Sequence, residues 1–186
     1  MGRLNIIDLP LSGLKVVERQ RLGDHRGFLS RLFCADELAT AGWNRPIAQS
    51  NHTFTARRGT VRGLHYQCPP HAEMKLVICL RGEVWDVAAD VRAGSKTLLQ
   101  WHAERLSAEN GRALLIPEGF AHGFQALTDD VELVYFHSAA HSPSSEAGLN
   151  VRDERLGIDW PLPIVEQSAR DAALAPAGPN FAGVET

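Results

Sequence analysis

From residue 75 to residue 137 the sequence alternates short apolar runs with glycine-bearing or polar breaks, and this rhythm limits the fold more than any other feature. Residues 76–80 form a continuous apolar run that Arg81-Gly82 ends. Residues 84–91 follow, closed by Arg92-Ala93-Gly94-Ser95, and further runs fall at 97–101, 113–116, 123–127 and 131–137. Runs of roughly four to eight residues bounded by turn residues read as strands. So close together they leave no room for βαβ crossovers, and the chain is expected to be all-β: a sandwich, jelly roll or barrel. Helical patterns are short. They fall at 35–41 and at 168–174, where Ser168 is placed to cap the first turn. From Pro176 onward Gly, Pro, Ala and Asn dominate, and 176–186 is expected to be a loosely held tail.

A chain of 186 residues has room for one domain with a real core, taken as 1–186. Its 44% hydrophobic and 22% charged residues argue against disorder. Nineteen Lys plus Arg stand against 22 Asp plus Glu, a formal charge of −3, so no positive excess draws the protein to nucleic acid or an anionic membrane. The first six residues lack the apolar stretch of a secretion signal, and Ile6 stands where a myristoylation signal needs Ser or Thr. No apolar run approaches the roughly 20 residues that span a bilayer. Cys34, Cys68 and Cys79 are odd in number and lack CxxC spacing, which fits reduced thiols. A soluble, cytoplasmic protein is expected.

Two stretches carry chemistry. In the first, a strand from Arg112 runs into Pro117-Glu118-Gly119, and His122 follows three residues after the glycine. The spacing resembles the second signature of the cupin jelly rolls, in which this turn presents the histidine inside the barrel. The spacing is fairly specific, because several fixed offsets coincide, and the competing reading is a plain hairpin followed by a core histidine. The second stretch runs from Arg62 to Lys75. A metal-binding cupin would need a His-x-His pair and a downstream Glu here. The chain offers His71-Ala72-Glu73 instead, and the Glu position falls on Val77 or Ile78, or on Lys75 when counted back from Gly82. His65 and His71, six residues apart across two prolines, have no ordinary ligand spacing. A metal-free site with His65 and Lys75 fits better.

A histidine and a lysine in one pocket suit proton abstraction next to a carbonyl. Imidazole is a base near neutrality, and an ammonium can donate to the enolate oxygen. Epimerisation also needs an acid on the opposite face, for which Tyr135 is the candidate. Taken singly, His65 reads as a core imidazole, Lys75 as a solvated charge and Tyr135 as a packing aromatic. Spacing alone favours these plain readings over the functional ones, and the functional assignment needs another line of evidence.

The ordered blocks along the chain decide between them. They are Gly23-Asp24-His25-Arg26-Gly27-Phe28, Gln49-Ser50-Asn51-His52, Arg62-Gly63-Leu64-His65-Tyr66-Gln67, Lys75-Leu76-Val77, Gly82-Glu83-Val84-Trp85-Asp86, Ile116-Pro117-Glu118-Gly119-Phe120-Ala121-His122-Gly123-Phe124, Gly157-Ile158-Asp159-Trp160-Pro161 and Ser168-Ala169-Arg170-Asp171. In this order they resemble the dTDP-4-dehydrorhamnose 3,5-epimerases of dTDP-L-rhamnose synthesis over almost the whole length. The resemblance implies a cupin-type double-stranded β-helix, free of metal and cofactor, that forms a homodimer and binds a dTDP-sugar. It implies that His65 is the base, Asp171 its carboxylate partner, Lys75 the enolate donor and Tyr135 the opposing acid. By the same likeness Arg26 and Arg62 hold the diphosphate. Gln49 and Asn51 belong to the nucleotide and sugar site, His122 lines the cavity, and Arg170 stands where many members have Lys.

Three departures bear on the substrate. Arg31 replaces a common Glu, Ala140-His141 a common Tyr-Tyr, and Val151-Arg152-Asp153-Glu154 a Trp-Asn-Asp-Pro run. The expected activity is inversion of C3 and C5 of dTDP-4-dehydro-6-deoxy-D-glucose. A single-carbon epimerase, a ketoisomerase, a non-catalytic sugar-nucleotide binder and a metal-dependent cupin oxygenase are the alternatives.

Overall fold

Residues 76–79 are apolar throughout because both faces of their strand are covered, whereas Leu80 at its end is exposed. The computed structural model describes residues 2–186. In chain order its elements are β1 (Leu4–Asp8), β2 (Lys15–Arg19), β3 (Arg21–Asp24), β4 (Gly27–Ser30), α1 (Ala35–Ala39), β5 (Gln49–Thr55), β6 (Val61–Gln67), β7 (Lys75–Arg81) and β8 (Glu83–Asp90). There follow β9 (Trp101–Ser107), β10 (Arg112–Ile116), β11 (Phe120–Ala126), β12 (Val131–His137), β13 (Glu146–Gly148) and α2 (Ala169–Ala172). One sheet has six strands in the order β1-β2-β10-β7-β12-β5, the other five in the order β13-β6-β11-β8-β9. Neighbouring strands in both sheets are antiparallel, as the all-β expectation requires.

Side chains alternate across each strand, so every strand feeds two layers. Val77 and Cys79 of β7 join Val84, Leu114, Phe124 and Leu133 in the layer between the sheets. Leu76 and Ile78 point the other way, onto Leu38, Ala41 and Trp43 around α1. The five-stranded sheet is covered likewise: Val87, Ala89 and Leu64 pack under Leu149, Val151 and Leu156 of the C-terminal segment. A sheet buried on both faces loses the alternating pattern and reads as unbroken apolar runs.

The layer between the sheets changes character along its length. It is apolar at one end, while at the other the inward positions carry His65, Lys75, Asp86, His122 and Tyr135. β3 and β4 form a separate two-stranded hairpin outside both sheets.

Two expectations need correction. Residues 97–100 are not part of a strand. Asp90 accepts hydrogen bonds from Ser95 Oγ and Thr97 Oγ1 at 2.6 Å each, gathering 92–100 into turns, and the strand begins only at Trp101. The segment 176–186 is not loose. Ala177 is buried, and Val184 N donates to Val91 O at 2.7 Å while Ala93 N donates to Val184 O at 2.8 Å. Among the described residues no helix is long and apolar enough to cross a membrane.

Candidate active site

His65 faces inward because β6 carries one extra residue. His122 pairs with His65 but Phe124 pairs with Arg62, so three steps on β6 match two on β11. This bulge brings both Arg62 and His65 to the cavity side. It depends on Gly63, whose φ of +115° favours glycine and whose added Cβ would lie 2.6 Å from Gly123 Cα.

His65 Nε2 lies 2.9 Å from Asp171 Oδ1, and Gly63 N–H donates to Asp171 Oδ2 at 3.1 Å. The aspartate is delivered by α2, where Ser168 caps the helix by accepting from Asp171 N at 3.0 Å. Burial works to raise the Asp171 carboxyl, but the hydrogen bonds from His65 and Gly63 outweigh it and hold the group below its ordinary range. An ionised Asp171 accepts from Nε2–H and leaves Nδ1 as the free basic nitrogen.

Tyr135 stands on the facing sheet. Its ring meets the His122 ring edge-on at 5.9 Å and stacks on His137 at 5.9 Å. Burial, with the charge of Asp86 adding to it, pushes the phenol well above its ordinary pKa. Tyr135 is therefore a neutral O–H donor at any working pH. His122 Nε2 is bonded to Asp86 Oδ1 at 2.9 Å, both side chains buried, and Asp86 Oδ2 has no protein partner.

These groups line a cavity of about 750 Å³ that opens between the sheets, with Asn51, Arg62, His65, His122, Tyr135, Arg170 and Asp171 in its wall. Arg62 is anchored on β5 by Nε to Thr55 Oγ1 at 3.0 Å and Nη2 to the Phe54 carbonyl at 3.1 Å. Arg170 pairs with Glu146 at 2.5 Å. A second, smaller space of about 190 Å³ is lined by Gln49 and Lys75, and His65 and Asn51 line both. Lys75 Nζ donates to the His65 carbonyl at 3.3 Å.

Nine of the ten expected site residues thus gather around two adjoining spaces. Arg26 does not. It lies on the β3–β4 hairpin with its side chain 78% exposed, turned back onto Asp24 at 2.6 Å, and it lines neither space. Within one chain the hairpin belongs to neither sheet, and Arg26 stays outside the site. Arg31 is likewise remote, paired with Glu37 at α1.

The sequence left without a role three lining residues, Glu73, His137 and Phe54, and Asp86 behind His122. Asp86 had a signal, as a charged residue at an inward position of an otherwise apolar strand. Among the described residues no three His, Cys, Asp or Glu side chains converge in a metal-ligating arrangement.

The family model described as dTDP-4-dehydrorhamnose 3,5-epimerase matches residues 8–177. The chain belongs to this family. A dTDP-4-dehydrorhamnose 3,5-epimerase of Shigella flexneri is 41% identical over 160 residues, covering 86% of this chain and 88% of that protein. The crystal structure of the dTDP-6-deoxy-D-glucose-3,5-epimerase of Legionella pneumophila Philadelphia 1, in complex with dTDP-4-keto-L-rhamnose, is similar with a TM-score of 0.89. It is 40% identical, and the likeness covers 93% of this chain and 92% of that one. A dTDP-4-dehydrorhamnose 3-epimerase of Streptomyces niveus is 36% identical over 169 residues, 89% of this chain and 81% of that protein. Relatives of the 3,5-epimerase family at this distance are thus named for inversion at two carbons and at one.

Proposed function

We propose that this protein is a dTDP-4-dehydrorhamnose 3,5-epimerase, inverting C3 and C5 of dTDP-4-dehydro-6-deoxy-D-glucose to give dTDP-4-dehydro-L-rhamnose. One observation carries the reading: His65 on β6 and Tyr135 on β12 belong to facing sheets and line the same cavity. A ketosugar between them meets a base on one face and an acid on the other.

His65 Nδ1 takes the proton from the carbon next to the C4 ketone. The C–H electrons move into the ketone oxygen, and the Lys75 ammonium donates to the resulting enolate. Asp171 holds the imidazolium through Nε2–H, the part a carboxylate plays in any His–Asp pair. Tyr135 O–H then protonates the carbon from the opposite face. Imidazolium and phenolate are left, and exchange with solvent resets both. The reaction repeats at the second carbon. Arg62 and Arg170 supply donors for the diphosphate, with Gln49, Asn51 and His122 orienting the nucleotide and sugar.

A homodimer belongs to the same reading. The β3–β4 hairpin exposes Leu22, Phe28 and Leu29 together with Arg26, apolar surface of the kind a second copy would cover. A hairpin reaching across to a second copy would also bring Arg26 toward a diphosphate site. We place the protein in the cytoplasm, where Cys34, Cys68 and Cys79 would stay reduced as the unpaired thiols they are here.

The test is incubation with dTDP-4-dehydro-6-deoxy-D-glucose in heavy water, with deuterium counted at each carbon by NMR. Label at both C3 and C5 with an inverted product is expected. Label at one carbon alone would make this a single-carbon epimerase, and no label would overturn the reading.

A further inference from the structure

Lys75 is not alone at the inner end of the site. Its Nζ lies 3.2 Å from Glu73 Oε1, and Glu73 Oε2 lies 2.8 Å from His137 Nδ1. The three side chains are only 9%, 8% and 11% exposed. Such a buried cluster is held together by its hydrogen bonds, and here the direction of each bond fixes the next.

The His141 N–H donates to Gln49 Oε1 at 3.0 Å. That turns Gln49 Nε2 toward Asn51 Oδ1, which accepts at 3.1 Å. Asn51 Nδ2 is then left to donate to His137 Nε2 at 3.4 Å. A ring nitrogen that accepts carries no proton, so the proton of neutral His137 is on Nδ1 and is donated to Glu73. The ammonium pairs with the other carboxylate oxygen at 3.2 Å and donates to the His65 carbonyl at 3.3 Å. Glu73 must therefore face an N–H with one oxygen and a cation with the other. A carboxylate does this; an amide of the same shape does not, because one of its two ends is a donor. Burial works to raise the Glu73 carboxyl, but the His137 hydrogen bond and the Lys75 charge hold it below its ordinary range.

We propose that Glu73, itself held by His137, positions the Lys75 ammonium so that an N–H points at the enolate oxygen. The inference rests on the reading of Lys75 as the enolate donor. A lysine brings a flexible four-carbon stem and three rotatable donors. Held between the Glu73 carboxylate and the His65 carbonyl, the ammonium turns its free N–H toward the space that Lys75 shares with His65. The flat stack of His137 on Tyr135, 18° between planes, holds the far end of the relay against the proposed acid. Glu73 is a positioning residue. It acts through Lys75 and is not required to touch substrate.

The test is a double-mutant cycle on the full-length enzyme, read as kcat and KM for the dTDP-ketosugar. Glu73→Gln keeps the shape of the side chain but sets a donor against either Lys75 or His137. It should lower kcat about tenfold, the scale of a misplaced catalytic group, with KM within about twofold. In a Lys75→Met background the same change should cost nothing further in kcat, because its target is gone. His137→Phe keeps the stack on Tyr135 and removes the Nδ1–H, and should lower kcat about threefold should Glu73→Gln fold poorly. An unchanged kcat in Glu73→Gln and His137→Phe, or losses that multiply in the Lys75→Met background, would overturn the proposal. An inactive parent enzyme would overturn the reaction itself and the proposal with it, whereas an active parent with silent Glu73 and His137 variants overturns the proposal alone.

Discussion

An imidazole that meets a C–H bond must present one nitrogen, unprotonated, in one orientation, and for His65, the proposed base, both conditions are set by Asp171. The carboxylate takes Nε2–H at 2.9 Å and is itself kept in place by the Gly63 N–H and the cap at Ser168. In Asp171→Asn the amide offers a donor where an acceptor is needed, which favours the other tautomer and takes the lone pair from the cavity side. Turnover is expected to fall about 10²-fold or more, the range of general acid–base catalysis, in a steady-state assay of epimer formation. Turnover within a factor of three of the parent would remove Asp171 from the account. The two residues are 106 positions apart. No periodicity joins them, and only the family likeness pairs them before the fold is known. The Glu73–His137 contact had no such likeness behind it and becomes visible only when β7 and β12 are seen side by side, His137 in register with Lys75.

At the scale of elements, legibility in the sequence followed burial. Residues 131–137 form β12 as expected, since Val131, Leu133 and Tyr135 alternate into the core. β5 reads Gln-Ser-Asn-His-Thr-Phe-Thr and carries little apolar signal, because as an edge strand it exposes one side and lines the cavity with the other. The misplaced start of β9 has a different cause. Residues 97–101 look like a strand only if Asp90 is ignored, and a buried carboxylate that gathers two hydroxyls and Arg92 outweighs the propensity of a few apolar residues. The bulge in β6 is the element on which the site turns. Gly63→Ala would bring a Cβ to 2.7 Å from the His122 carbonyl at a backbone angle that favours glycine. It should destabilise the fold on the order of 3 kcal/mol, combining strain and overpacking. A urea melt would show this as a lower midpoint, and an unchanged midpoint would mean that the bulge tolerates a side chain.

Across the whole molecule the two sheets divide the chemistry. The five-stranded sheet carries His65 and His122, and the six-stranded sheet carries Lys75 and Tyr135. The covering layers around α1 and along the C-terminal segment bury the outer faces, so the opening between the sheets is where a substrate of this size finds polar groups. The class of fold was legible in advance, and so were most of the residues proposed here for the site. The apposition of base and acid was not, since it arises from which strands end up in which sheet. That apposition is tested most directly by Tyr135→Phe in heavy water, with dTDP-4-dehydro-6-deoxy-D-glucose followed by NMR for label and configuration. His65 should still remove a proton and return a deuteron to the same face, giving exchange without inversion, while His65→Ala should give neither. Inversion at the parent rate in Tyr135→Phe would contradict the two-wall arrangement, because the acid would then have to come from elsewhere in the cavity.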